Sequence, residues 1–394
     1  MDRFLDEANE LFEYTVGMRR DFHMHPELGF QEVRTAGIVS RELNSLGLEV
    51  STGVAETGVV AMIEGLQPGP VALLRFDMDA LPIQEETGAA YASQIPGVMH
   101  ACGHDGHTAI GLTVARLLHA HRQELNGSVK LVFQPAEEGL GGAARMIQEG
   151  VLDNPRPDLA LALHVWNDKP LGWVGVTAGP VMAAGETIKI VVTGKGGHGA
   201  LPHLAVDPVL AASQIVVGLQ SIVARSVSPL KTAVVTIGAI HGGEAFNVIP
   251  PKVEMKGTIR TFDPEVRALV LERFEQIVHR TAEAYGCQAQ IEATFLTPAV
   301  VNESRITSRV QAIVGQVLPE STLDTEDRTM GSEDMAYILQ DVPGCFVFIG
   351  SANHEEQLDA PHHHPRFDFD ERVLPRAAAL MAAAAADFLS TPDN

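Results

Sequence analysis

Cysteine is scarce in this sequence. Only three cysteines occur among 394 residues, at Cys102, Cys287 and Cys345. An odd number without short regular spacing excludes a disulfide framework and favours a reducing compartment. The N-terminal stretch MDRFLDEANELFEY also lacks the basic start and the apolar core of a signal peptide. We therefore expect a cytoplasmic protein.

Positive charge and long apolar runs are also limited. Lysine and arginine total 28 against 50 aspartates and glutamates, so the net charge is -22. Such a chain repels phosphate backbones and anionic lipid, which argues against a nucleic-acid partner. The longest apolar tract, 377–389, consists mostly of alanine and is too short and too weakly hydrophobic to span a bilayer. We expect neither a nucleic-acid nor a membrane partner.

The chain is long enough for two domains, and 45% of its residues are apolar. Continuous apolar runs alternate with helical patterns in the first part, which predicts an α/β domain with a mixed sheet covered by helices. The sequence pattern changes near Gly185, where it predicts an inserted α+β unit. The strand and helix pattern of the first part resumes after this unit. The predicted catalytic domain is residues 1–183 and 297–394, and the inserted domain is 184–296.

Several elements can be predicted individually from periodicity. Helices are predicted at 4–16, 32–46, 108–119, 143–149, 208–223, 264–284, 304–317, 332–339 and 377–389. Strands are predicted at 59–63, 71–76, 129–133, 159–163 and 345–349, with further strands in the inserted unit.

Side chains able to bind a metal follow the predicted strands of the first domain. They are Asp77, Asp79, Glu137, Glu138 and His164, after the runs VALLRF, VKLVFQP and LALAL. In open α/β sheets, ligands bind at this edge. The segments HACGHDGH and HHHP add thiol and imidazole groups. This mixture of ligands favours zinc or a neighbouring first-row ion at a site for two metals.

The spacing of these residues suggests which of them could bind a metal and which could act as a base. Residues two apart in an extended loop point the same way, so Cys102 and His104 can reach one metal centre. Adjacent residues diverge, so one of Glu137 and Glu138 can bind a metal while the other faces water as a general base. Asp77 is as consistent with a hydrogen bond in a turn as with a metal, and it is not among the expected ligands.

Nine segments of the chain then resemble a known family. They are HMHPELGFQE, DMDALPIQE, MHACGHDGHTA, QPAEEG, LHVW, GKGGHGALPH, AFNVIP, GSEDM and HHHPRFDFDE. In this order they are similar to segments of the dinuclear metal-dependent amidohydrolases, which include hippurate hydrolase, N-acyl-amino-acid deacylases and auxin-conjugate hydrolases. The resemblance extends from about residue 23 to residue 371. It implies hydrolysis of the amide bond of an N-acyl or N-aroyl amino acid.

The resemblance also implies roles for particular residues. The implied metal ligands are Cys102, His104, Glu138, His164 and one histidine of the run 362–364. Glu137 is the implied catalytic base, and Asp79 is implied to orient a ligand. The two ions could be zinc, which is favoured, or manganese, cobalt or nickel.

Within the inserted domain, the resemblance implies a lid that mediates homodimerisation. His198 matches a histidine that reaches the site of the second subunit and stabilises the oxyanion. Asn247 and Arg260 match positions that hold the substrate, and an arginine can bind a carboxylate through two hydrogen bonds.

The final motif departs from the family pattern, because His362 stands where an apolar residue is usual. The spacing H-x-P-x-F-D-F favours His363 as the ligand, although His362 and His364 stay open as alternatives.

Two other functions also remain open at this point. A dipeptidase or aminopeptidase could use the same dinuclear site, although no acidic or polar group can be assigned to a free α-amine. The protein could also bind metals without catalysing a reaction, but a closed structural site would not need the carboxylates of both Glu137 and Glu138.

Overall fold

The computed structural model describes residues 3–390. The α-helices are α1 (Arg3–Glu10), α2 (Phe12–Met24), α3 (Val33–Ser45), α4 (His104–Ala120), α5 (Gly142–Gln148), α6 (Pro208–Ser221), α7 (Pro264–Ala284), α8 (Ser304–Val317), α9 (Met335–Asp341) and α10 (Val373–Ser390). The strands are β1 (Glu49–Val54), β2 (Gly58–Glu64), β3 (Gln67–Asp77), β4 (Asn126–Gln134), β5 (Leu159–Pro170), β6 (Trp173–Gly175), β7 (Gly179–Met182), β8 (Ala184–Thr193), β9 (Gly197–His198), β10 (Ala233–His241), β11 (Val248–Ile249), β12 (Lys252–Thr261), β13 (Gln288–Thr297), β14 (Val300–Asn302), β15 (Thr322–Asp324) and β16 (Gly344–Ala352).

The described chain forms two compact units. The first contains residues up to 181, residues 300–328 and residues from 333 onwards, and the second contains 182–299 and 329–332. The short return segment 329–332 was not expected in the inserted domain. It joins the second unit because Met182 pairs with Thr329 and the Ala183 N–H donates to the Gly331 carbonyl.

The first unit is built on a mixed eight-stranded sheet in the order β1-β2-β4-β3-β5-β16-β6-β15. Strands β3, β4, β5 and β16 are parallel neighbours, so their carboxyl ends meet at one edge. Most of their central residues are apolar and almost fully buried, as expected for parallel strands covered on both faces. The sheet and its helices confirm the predicted fold class.

Helices α4 and α10 contribute to the same apolar core. The alanine-rich α10 is mostly buried, which explains its apolar composition without a membrane. By length and composition alone, α10 is nevertheless long and apolar enough to span a bilayer, contrary to the expectation for the tract 377–389. The same holds for the helical stretch 208–226, most of which is exposed. One or two such helices are weak evidence of a membrane span.

The second unit is an α+β sandwich. Its antiparallel sheet has the order β10-β12-β8-β13, and helices α6 and α7 share an apolar core with it. Both helices begin with proline, and Asp207 and Asp263 cap them by accepting backbone N–H groups.

Most predicted elements differ from the observed ones by a few residues at their ends, as three examples show. The first helix is interrupted at Leu11, which separates α1 from α2. The strand predicted to stop at Leu163 continues to Pro170, because it pairs with β16 beyond His164. Helix α10 begins before Pro375, since a proline in the first helical turn removes no hydrogen bond.

Candidate metal centre

The side chains with metal-binding groups collect at the carboxyl edge of the central parallel strands. Asp77 is the last residue of β3, and Glu137 and Glu138 follow β4. His164 lies in β5, two residues beyond Ala162, where the pairing of β5 with β3 ends. The topology therefore brings residues from distant parts of the chain to one edge.

Cys102 and His104 reach this edge through a tight turn and not through the extended loop expected from the sequence. Gly103 between them has a φ of 88°, and His104 is the first residue of α4. A Cβ atom at Gly103 would lie 2.4 Å from Cγ2 of Val165. Only glycine combines this left-handed conformation with such close packing against β5.

Two groups of possible ligand atoms share the sulfur of Cys102. One group contains His104 and His164, and the other contains Glu138 and His363. A further group contains His104 with Glu137 and Glu138, and within each group the ligand atoms lie within 4.8 Å of one another. The structure thus brings together all five ligands implied by the resemblance, with Glu137 beside them.

The hydrogen bonds of two histidines leave the other ring nitrogen able to bind a metal. Nδ1 of His164 lies 2.6 Å from the Val165 carbonyl, and Nδ1 of His104 lies 3.0 Å from the Asp79 carbonyl. A carbonyl only accepts, so each Nδ1 carries a proton. Nε2 of His104 is buried and has no hydrogen-bond partner among the described residues. These buried lone pairs fit divalent metal ions.

His107 and Asp77 also lie close to His104, but their polar atoms are already used. Nδ1 of His107 donates to Asp77 at 2.6 Å, and its Nε2 accepts the Val165 N–H at 2.9 Å. The second carboxylate oxygen of Asp77 accepts from Arg75 at 2.6 Å. These hydrogen bonds account for the side-chain polar atoms of His107 and Asp77 without a metal ion.

Asp79 connects a predicted ligand to the loop that carries the two glutamates. Its Oδ1 lies 3.2 Å from Nδ1 of His104, and its Oδ2 accepts the backbone N–H of Glu138 at 3.0 Å. Asp79 therefore contacts two of the implied metal ligands.

Glu137 occupies a buried and strongly acidic environment. Its Oε1 accepts the Asp334 N–H at 3.3 Å. Burial raises the pKa of Glu137 well above its ordinary value, and the carboxylates of Glu333, Glu138 and Asp334 raise it further. A carboxyl group with a raised pKa can take up and return a proton near neutral pH.

Arg75 forms ion pairs with three buried carboxylates near Glu137, which we call the acidic cluster: Asp77, Glu333 and Asp334. Its guanidinium donates to Asp77, to Glu333 at 2.7 Å and to Asp334 at 3.0 Å, and all four side chains are buried. Asp334 also accepts from Gln134 at 2.7 Å. One guanidinium therefore links the end of β3 to the segment that contacts Glu137.

The electrostatic field at the site favours positive charge. Burial opposes the charged form of His104, but Asp77 and the hydrogen bond to Asp79 outweigh it and raise the pKa of His104 well above its ordinary value. Hydrogen bonds with Cys102 and Glu138 raise the pKa of His363 to about 10. Burial, together with nearby His107 and His362, instead lowers the pKa of His164 well below its ordinary value.

The three consecutive histidines have different surroundings. Nε2 of His363 lies 3.2 Å from Oε1 of Glu138, within the second ligand group. Nε2 of His362 donates to the Val165 carbonyl at 3.0 Å, while Nδ1 of His364 accepts the Arg366 N–H at 3.1 Å. His363 is the member of the run that reaches the ligand groups.

Two residues of the site have a left-handed backbone. Ala136, which precedes the two glutamates, has a φ of 55°, and His363 has a φ of 64°. Such conformations are unfavourable for residues with a Cβ atom and are concentrated at functional sites.

The remaining predicted residues lie in the second unit. His198 pairs with Val248 across β9 and β11, and the adjacent Asn247 accepts the Gly199 N–H at 2.7 Å. His198 is exposed, and its Nδ1 accepts the Ala200 N–H at 3.0 Å.

Arg260 lies on β12, which belongs to the four-stranded sheet and not to the two-stranded sheet of β9 and β11. Its guanidinium donates to Ser332 and, at 3.1 Å, to Thr258. A Cβ atom at Gly185 would lie 2.6 Å from the guanidinium, so the glycine provides space for it. Burial lowers the pKa of Arg260 from its ordinary value.

The sequence analysis assigned no role to Arg75, His107, Glu333 or Asp334. A charged residue inside the apolar run VALLRF was a usable signal for Arg75, since buried arginines require acidic partners. The GSEDM segment contained Glu333 and Asp334, but their contact with Glu137 depends on the fold.

Comparison with known proteins places this centre in a family. The model of Peptidase family M20/M25/M40 matches residues 73–387. The chain is 41% identical to the IAA-amino acid hydrolase ILR1-like 4 of Arabidopsis thaliana, over 98% of this chain and 88% of the relative. It is 40% identical to an N-acetyl-L-cysteine deacetylase of Bacillus subtilis, over 96% and 89% respectively.

A solved structure extends the comparison to the metal centre. The YXEP protein of Bacillus subtilis, a dinuclear metal binding peptidase from the M20 family, has a TM-score of 0.84 and 36% identity, covering 98% of this chain and 100% of that one. With the ligand groups above, this likeness supports two divalent metal ions per chain. The comparisons confirm the resemblance to dinuclear metal-dependent amidohydrolases. The chain belongs to the peptidase family M20/M25/M40.

Proposed function

We propose that this protein hydrolyses the amide bond of N-acyl amino acids and releases a carboxylic acid and a free amino acid. The observation that carries the proposal is the position of Glu137. Its carboxylate lies with His104 and Glu138 in one ligand group, while Cys102, His164 and His363 supply further ligand atoms. One carboxylate is thus left to transfer protons.

The proposed ligands of the two ions are Cys102, His104, Glu138, His164 and His363. The buried lone pairs of the imidazoles and the surplus of carboxylates support this assignment. A thiolate combined with imidazoles favours zinc, although manganese, cobalt and nickel accept similar ligands. Bound divalent ions would supply Lewis acidity and make water more acidic.

Glu137 performs the proton transfers in the proposed reaction. Its carboxylate accepts a proton from water, and the resulting hydroxide attacks the acyl carbon. The C–N bond then breaks, and Glu137 returns the proton to the departing nitrogen. The raised pKa of Glu137 suits both transfers.

His198 is the proposed donor to the acyl oxygen as negative charge develops. Because its Nδ1 accepts the Ala200 N–H, the neutral ring carries its proton on Nε2. Hydrogen-bond donors of this kind stabilise an oxyanion. In the proposed assembly, His198 serves the site of a second copy of the chain.

The exposed apolar surface of the second unit supports a homodimer. Val209, Leu210, Val217 and Val223 lie on α6 or the turn after it, and each is at least 39% exposed. Apolar patches of this kind mark protein interfaces. Val217→Glu is expected to produce monomers in sedimentation experiments, whereas Val33→Glu, at an equally exposed apolar residue of the first unit, is not.

Mixing two inactive variants tests the shared site directly. Glu137→Gln and His198→Ala should each be nearly inactive alone. A mixed dimer contains one site with an intact Glu137 from one chain and an intact His198 from the other, so exchange of subunits should restore activity. Failure of exchanged dimers to regain activity would contradict the role of His198 across subunits.

Arg260 and Asn247 are the proposed contacts for the carboxylate of the amino acid. A half-buried guanidinium can bind a carboxylate through two hydrogen bonds. Replacing Arg260 with lysine is expected to raise KM for N-acyl amino acids more than it lowers kcat, because the planar fork is lost.

A substrate panel tests the proposed reaction. N-acetyl and N-benzoyl amino acids should be hydrolysed, whereas dipeptides with a free α-amine should react at least about tenfold more slowly, since no group is assigned to hold that amine. Preferential hydrolysis of the dipeptides would identify a peptidase instead. Removal of the metals should abolish activity while the chain stays folded, and unfolding on chelation would indicate a structural metal.

We also infer a cytoplasmic location. All three cysteines are free, which agrees with a reducing compartment.

A further inference from the structure

Three histidine side chains form hydrogen bonds with the backbone of Val165. Its N–H donates to Nε2 of His107 at 2.9 Å. Its carbonyl accepts from Nδ1 of His164 at 2.6 Å and from Nε2 of His362 at 3.0 Å. His362 is thus bonded to the same oxygen that fixes the ring orientation of a proposed metal ligand.

The bond from His362 also connects two distant segments. His362 lies beside His363 on a turn, and the separation between His362 and Val165 along the chain is 197 residues. The same turn is attached to the segment before Cys102 by the His363 N–H, which donates to the Ala101 carbonyl at 2.8 Å. One backbone bond and one side-chain bond therefore hold this turn against the elements that carry the other proposed ligands.

The packing of the His362 ring supports a fixed position. Its centre lies 4.9 Å from that of Trp166, 5.0 Å from that of Phe367 and 5.2 Å from that of His164. The contact with His164 is edge to face, with an interplanar angle of 69°. These neighbours leave the imidazole little freedom to rotate away from Val165.

We propose that His362 is a positioning residue that keeps the proposed ligands His164 and His363 at the separation a metal centre requires. This inference rests on the proposed function, because it takes both neighbours as metal ligands. A phenylalanine at position 362 could fill the aromatic pocket, but it could not donate to Val165. The turn would then lose its bond to Val165 and keep the bond from His363 to Ala101.

Three variants separate the hydrogen bond from the packing. The amide nitrogen of glutamine can occupy the place of Nε2, whereas the shorter asparagine places its amide near the position of Nδ1. We expect His362→Gln to bind Zn²⁺ within about threefold of wild type. His362→Phe and His362→Asn should bind about 10–100-fold more weakly, the loss typical for groups that support metal ligands.

The measurement is a titration of metal-free protein with Zn²⁺ in competition with a chromophoric chelator. The visible spectrum of the Co²⁺-loaded protein provides a second readout, which should change in the Phe and Asn variants and stay as in wild type for Gln. His364→Gln serves as the control on the same turn, because Nδ1 of His364 accepts only a local N–H in the described contacts. It should not change the affinity.

The outcomes distinguish this inference from the assignment of the ligands. His363→Ala should lose Zn²⁺ affinity if the proposed ligand set is correct, and unchanged affinity in that variant would contradict the proposed function itself. If His363→Ala binds weakly but His362→Phe binds as wild type does, the positioning role alone is wrong. Equal losses in the Gln and Asn variants would also overturn it.

Discussion

Asp79 and His104 form a buried pair in which the carboxylate Oδ1 lies 3.2 Å from Nδ1 of the imidazole. The pair directs the proton of His104 away from Nε2, which remains available as a ligand. The other oxygen of Asp79 accepts the N–H of Glu138 at 3.0 Å. One carboxylate thus orients a proposed ligand from α4 and another from the loop after β4.

Replacing Asp79 with alanine removes both contacts of its carboxylate. The Asp79 carbonyl still accepts from His104, so we expect a weakened centre and not a lost one. The affinity for Zn²⁺ should fall about 10-fold or more in a chelator competition assay. The exposed Asp168→Ala is the control and should bind as wild type does. Unchanged affinity in Asp79→Ala would remove Asp79 from the orientation of the ligands.

Gly103 provides a test of the close approach between α4 and β5. Gly103→Ala places a Cβ atom 2.4 Å from Val165 Cγ2 and also imposes a left-handed alanine. Gly97→Ala imposes a similar backbone, at φ 76°, with open space around the Cβ. Gly97→Ala should cost about 1–2 kcal/mol of unfolding free energy, and Gly103→Ala about 1–3 kcal/mol more. Urea denaturation measures both, and equal losses would show that the contact with Val165 can relax.

Arg75→Met tests the buried acidic cluster. The variant leaves Asp77, Glu333 and Asp334 buried without their cation, so we expect a loss of about 3–5 kcal/mol in the free energy of unfolding. Arg3→Met removes an exposed ion pair with Glu124 and should cost at most about 1 kcal/mol. A small loss in Arg75→Met would mean that the carboxylates become protonated at little cost.

His23 is expected to make the free energy of unfolding depend on pH in the alkaline range. Burial opposes its charged form, but the Asp105 carboxylate at 2.8 Å and Glu85 at 3.4 Å outweigh burial and raise the pKa of His23 to about 9. The unfolded value is about 6.5. The stabilisation is therefore complete below pH 6.5 and is lost as the pH rises through 9.

The lost stabilisation amounts to about 3 kcal/mol for a shift of this size. His23→Gln lacks the titrating group, so the difference in unfolding free energy between wild type and variant should shrink by about that amount between pH 6 and pH 10. Urea denaturation at both values measures it. A difference independent of pH would show that folding leaves the pKa of His23 unchanged.

Much of the site could be predicted because its chemistry lies in short motifs. Glu137 and Glu138 follow a parallel strand, whose carboxyl end meets those of its neighbours, and Cys102 and His104 stand two residues apart in HACGHDGH. The actual route was less predictable. The left-handed turn at Gly103, and not an extended loop, directs Cys102 and His104 to a common point.

The supporting contacts could not be predicted, because they join residues far apart in the sequence. Arg75 and Glu333 are separated by 258 residues, and Val165 and His362 by 197. No local pattern encodes such pairs. In the fold, the exposed edge strand β1 was missed because its side chains do not alternate between apolar and polar.

The central claim is that Glu137 transfers protons while other side chains hold the metals. Its most direct test is the zinc content and the turnover of one variant, Glu137→Gln, measured on the same sample. The account predicts two Zn²⁺ ions per chain, as in wild type, with kcat lowered by about 10²–10⁴-fold. Loss of a metal ion, or turnover close to that of wild type with both ions bound, would contradict it.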